Sequence, residues 1–107
     1  MSDPHPGMSN AFQAFMQDAS GHAQAWMVMV QSLDSASALD KKTEELACLA
    51  VLAALRLESG VPLHVRLAKQ AGATREEVIS AILVGLPAAG QSVTQVLPAA
   101  IAIYDAE

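Results

Sequence analysis

The chain has 107 residues, of which 52% are hydrophobic but only 4% aromatic, and it carries a formal net charge of −5 with just six lysines and arginines. That length makes about one domain, and so few cations leave no basic stripe for phosphates or anionic lipid, which excludes nucleic acid and membrane surfaces as expected partners. The apolar surplus, mostly Ala, Leu, Val and Ile, exceeds what a compact monomer of this size hides, so self-association is expected.

Residues 1–8, with two prolines and a glycine among polar residues, read as a flexible N-terminal arm in which His5 is solvated, and a single domain is expected over residues 9–107. The opening MSDPHPGMSN has neither the charged nor the apolar part of a signal peptide. The longest apolar run, LACLAVLAAL at 46–55, falls well short of the ~18 residues of a spanning helix. A cytoplasmic protein is expected, and the single cysteine, Cys48, agrees with a reducing compartment.

From Ser9, an N-cap, apolar residues between Phe12 and Leu33 recur at helical spacing and predict one long amphipathic helix ending near SLDSASALD. On it, Trp26, Met27 and Met29 read as core or subunit interface rather than as a substrate box. Asp40 caps a second helix running to about Leu57, with Glu44 and Glu45 near its positive end. A third helix starts near Pro62 and stops at QAGA, where Gly72 supplies a left-handed residue. TREE at 74–77 is a capping box that pairs Thr74 with Glu77 and opens a fourth helix through Leu86, ended by Pro87 and Gly90. Pro98 kinks the last helical segment or resets its start. No strand signal and no internal repeat competes with this all-α reading of about five helices.

Among the chemistry-bearing residues, His64 falls in the first turn of its helix, where unsatisfied backbone N–H groups and the positive dipole end disfavour an imidazolium and attract a carboxylate ligand. A neutral His64 that exchanges protons with a small organic acid is one expectation. A partly buried histidine bonded to a neighbouring carbonyl fits the same position. Glu45 reads either as its partner or as a first-turn acid that complements the dipole, and Arg56 either as a clamp for a substrate carboxylate or as a solvated cation. Cys48, three residues after Glu45, reads as packed and inert, because a carboxylate nearby opposes a thiolate. His22 and His64 lack ligand spacing, so no metal is expected.

The stretch LDKKTEELACLAVLAALRLESGVPLHVRLAKQAGATREEVISAILVG resembles the carboxymuconolactone decarboxylase family. The similarity spans roughly residues 33–105 and rests on LDxKTxEL, on the histidine followed by a short helix, and on AGATREEVxxAIL. In the alkylhydroperoxidase-D-like branch a helical glutamate precedes a Cys-x-x-Cys and a histidine. Glu45 and His64 match the glutamate and the histidine, whereas Leu57 and Gly60 occupy the cysteine positions. A missing dithiol removes both the attacking and the resolving thiol, and VPLH is similar to the decarboxylase branch. The resemblance implies an oligomeric helical fold, as trimer or hexamer. It also implies cofactor-free loss of CO₂ from a carboxylated lactone in aromatic-acid breakdown, with His64 transferring the proton and Glu45 orienting it. A redox protein without its dithiol and a non-catalytic oligomer that binds an acid remain as alternatives.

Overall fold

The computed structural model describes residues 9–106; the arm expected at residues 1–8 lies outside them. The chain is all-α, in the order α1 (Asn10–Asp18), α2 (Ser20–Ala36), α3 (Lys41–Leu55), α4 (Val61–Gln70), α5 (Arg75–Leu83), the single turn α6 (Leu86–Ala89) and α7 (Leu97–Ala106). Two 3₁₀ turns, Glu58–Gly60 and Gln91–Val96, precede α4 and α7.

Most of these boundaries follow from local chemistry. The Ser9 side chain accepts from Phe12 N at 3.1 Å, and Asp40 accepts from Thr43 N at 2.8 Å. The capping box closes in both directions, with Glu77 N donating to Thr74 Oγ1 at 3.1 Å and Thr74 N donating to Glu77 Oε1 at 2.8 Å. Pro98 falls in the first turn of α7 and resets the helix start.

Two expectations are corrected. The predicted single first helix is broken at Ala19 (φ −130°, ψ 52°), where Ser20 and Gly21, both weaker helix formers than alanine, follow. The fourth helix ends at Leu83 rather than near Leu86, and Pro87 sits in the first turn of α6 instead of terminating α5.

The core forms where α3, α4, α5 and α7 converge. Leu49, Val65, Val78, Ile82, Val96 and Ala100 are buried there. Polar ties hold α7 against the α4–α5 corner: Tyr104 Oη donates to Ala73 O and Lys69 Nζ donates to Tyr104 O, both at 2.7 Å. By contrast, α1 and α2 pack mainly on each other, through edge-on contacts of Trp26 with Phe12 and Phe15. Their one buried residue is Ala23.

Both α3 and α4 close with the same pair of backbone bonds, from Leu57 N to Leu52 O and Arg56 N to Ala53 O in α3, and from Ala73 N to Ala68 O and Gly72 N to Lys69 O in α4. The left-handed position is held by Gly72 (φ 98°) in α4 but by Arg56 (φ 58°) in α3. A side chain in that conformation costs about 1 kcal/mol. Arg56→Gly is therefore expected to raise stability by about 0.5–1 kcal/mol, read as an upward shift in the urea midpoint.

Candidate functional site

The joint between α3 and α4 brings the sequence's two main candidates together. Leu57 N and Gly60 N are both satisfied within the joint, and Gly60 lies flat on Leu52, whose Cδ2 would be 3.2 Å from a β-carbon there. The chain therefore doubles back tightly onto α3. Val61 and Val65 bury against the core, which turns the neighbouring His64 toward Glu45. His64 Nδ1 lies 2.7 Å from Glu45 Oε1.

Glu45 is only 5% exposed, and a carboxylate so buried needs a charged partner. It has two. Lys41 Nζ lies 3.1 Å from Oε2, one helical turn earlier, while His64 occupies Oε1. Burial pushes the Glu45 carboxyl up, but the His64 hydrogen bond, the Lys41 hydrogen bond and the two positive charges outweigh it, and the pKa falls below its ordinary 4.5.

His64 reverses the expectation of a neutral imidazole. Its pKa is raised from 6.5 to about 9, by the Cys48 side chain first and the Glu45 hydrogen bond next, against burial. The upward direction does not depend on the state of the thiol, because a carboxylate at 2.7 Å alone favours the charged ring. The helix-dipole argument fails for lack of magnitude: a terminal dipole contributes ~0.3–1 kcal/mol, less than a directly bonded, buried carboxylate supplies. His64 is thus an imidazolium at neutral pH whose Nδ1–H is committed to Glu45, and exchange with a bound molecule falls to Nε2.

Cys48, a free and half-buried cysteine, adds to the upward push on the same ring. Lys41 was missed altogether, although Lys–Glu spacing of i, i+4 at a helix start was a usable signal. Lys41 and His64 outnumber Glu45 by one charge, but Asp34 and Glu44 also act on Lys41, so the neighbourhood as a whole carries no positive excess. Arg56 is exposed at the far end of α3, about 16 Å along the helix from Glu45 at 1.5 Å per residue. His22 is exposed on α2. Among the described residues no group of three His, Cys, Asp or Glu is placed to hold a metal ion, and no helix is long and apolar enough to cross a membrane. Two open depressions mark the surface, one along α2 at Val28 and Ser32 and one between α3 and α5 at Leu46 and Val84; neither is lined by Glu45 or His64.

The fold and the site together define a class: an all-α protein that holds an ionised carboxylate–imidazolium pair at a helix joint. The chain belongs to the carboxymuconolactone decarboxylase family, whose family model matches residues 21–102. That match begins within α2, ahead of the stretch that carries the sequence resemblance. No curated protein and no solved structure matches the chain.

Proposed function

We propose that the protein is a cofactor-free carboxy-lyase, or a related proton-transfer enzyme, acting on a small carboxylated lactone or keto acid. The observation that carries this reading is the 2.7 Å Glu45–His64 contact, which keeps a proton on a partly exposed imidazole. In such a reaction the bond to the carboxylate breaks and CO₂ leaves. The electron pair passes into the adjacent unsaturated lactone or ketone to give an enolate, and His64 Nε2–H delivers its proton to carbon. Water then restores the proton to the ring while Glu45 holds its orientation. An oligomer in the cytoplasm is the working form.

The reading is tested by incubating the purified protein with carboxymuconolactone and with a β-keto acid and following CO₂ release. Release above the spontaneous rate is expected. No release from either compound overturns the proposal. The Cys48–His64 interaction favours one second reading, in which the Cys48 thiolate takes an oxygen from a peroxide to become a sulfenic acid, water or alcohol leaves, and an external thiol reduces the sulfur. Peroxide consumption that needs a thiol and disappears in Cys48→Ser would establish it.

A further inference from the structure

We propose that Lys41 is a positioning residue of the site: by holding the far oxygen of Glu45, it limits how firmly that carboxylate retains the His64 proton. The inference deepens the proposed reaction and rests on it only in its kinetic arm.

Two adjacent lysines, Lys41 and Lys42, open α3. Neighbouring helical positions do not face the same way, and the structure sends the two lysines apart. Lys42 Nζ lies 2.9 Å from Glu77 Oε2 on α5, whereas Lys41 Nζ lies 3.1 Å from Glu45 Oε2. The Asp40 cap, which accepts from Thr43 N at 2.8 Å, fixes where the helix starts and so seats Lys41 in its first turn, below Glu45. The carboxylate is thereby divided, Oε2 to Lys41 and Oε1 to His64 Nδ1.

Helix stability gives Lys41 little reason to be there. A cation in the first turn opposes the helix dipole, and lysine four residues before glutamate is the weaker order of that pair. The charge has a clear effect on the site. What Lys41 draws toward Oε2 is withdrawn from Oε1, the oxygen that accepts the His64 proton, and the ammonium repels the imidazolium across the width of one carboxyl group. Both effects make His64 a stronger acid than an isolated histidine–glutamate pair would be. Water screens them little at the carboxylate itself, since the Glu45 side chain is only 6% exposed. Asp34 of α2 and Glu44 and Glu45 of α3 face Lys41, and Cys48 and Glu45 of α3 face His64 on α4. A proton held too firmly is slow to leave, and a catalytic acid works best when its proton affinity is matched to the operating pH. Lys41 moves His64 in that direction.

Titration of the histidine ring signals by NMR on the full chain tests this without a substrate. His64→Gln assigns which of the three histidines is His64. Lys41→Met keeps the apolar stem and removes the charge. It is expected to raise the proton affinity of the ring about three- to tenfold, the effect of losing one nearby unit charge at a protein surface, read as an upward displacement of the midpoint. Lys41→Arg is expected to restore the midpoint, and Lys42→Met to leave it in place. Should Lys41→Met not fold by circular dichroism, Lys41→Gln on the same exposed position carries the same test. A midpoint that stays or falls when Lys41 loses its charge overturns the inference, and so does an equal displacement in Lys42→Met. A lysine that only stabilised the helix would lower the melting temperature and leave the ring unchanged.

In CO₂ release, Lys41→Met is expected to lower kcat about two- to fivefold with KM little altered, and to extend turnover to higher pH, as a weaker acid does. A displaced midpoint in a protein that releases no CO₂ supports the inference and counts against the reaction; CO₂ release with an unmoved midpoint does the reverse.

Discussion

His64→Gln is expected to lower turnover by roughly two to four orders of magnitude, the usual yield of a positioned general acid. Glutamine preserves a donor toward the buried Glu45 carboxylate but carries no transferable proton, so the fold should survive what the chemistry does not. Glu45→Gln is expected to produce a loss of similar size, because the carboxylate at 2.7 Å both orients the ring and keeps it charged. The double variant should lose little more than either single one, since two residues acting as a unit fail together. His64→Ala is the less informative change: it leaves Glu45 buried with Lys41 as its remaining ion-pair partner, and a drop in melting temperature would accompany any catalytic loss. If His64 is merely a bonded polar residue, His64→Gln will shift the melting temperature and leave CO₂ release within a few-fold of the unaltered protein.

The second large effect is on pH dependence. A ring whose pKa rises from 6.5 unfolded to about 9 folded stabilises the protein fully below pH 6.5, and that contribution disappears as pH climbs through 9. Given the raised proton affinity, and allowing for solvent screening at a partly exposed ring, the loss across this window is expected to be about 2–3 kcal/mol. Urea unfolding at pH 6 and pH 9.5 measures it, and the difference should shrink markedly in His64→Gln, which isolates the contribution of His64 from that of every other group. Glu45 acts in the opposite direction. Its carboxyl lies below 4.5, so its contribution is present above pH 4.5 and lost as pH falls through the lowered value. Turnover should hold through pH 6.5 and decline near 9, as apparent values of the pair rather than of one residue. An inflection near 6.5 would return His64 to the neutral ring that its helix position alone implies.

Asp40, the Thr74–Glu77 box, Gly72 and the helix start near Pro62 were legible because each signal is spent within one turn of where it is written. The candidates Glu45 and His64 were legible for a different reason, a motif, and the sequence offered no measure of their separation. What the three-dimensional fold decided lies at longer range. His64 is charged because Glu45, 19 residues earlier, reaches 2.7 Å from its ring, a pairing stronger than the local dipole that predicted the neutral form. Cys48 joins the same ring because α4 folds back over that stripe of α3. The apolar residues of α1, α2 and outer α3 announced an apolar surface, but periodicity records only that a face is hydrophobic. Which body covers that face depends on distances between elements that share no local signal, and within one chain the hairpin and the outer side of α3 remain uncovered.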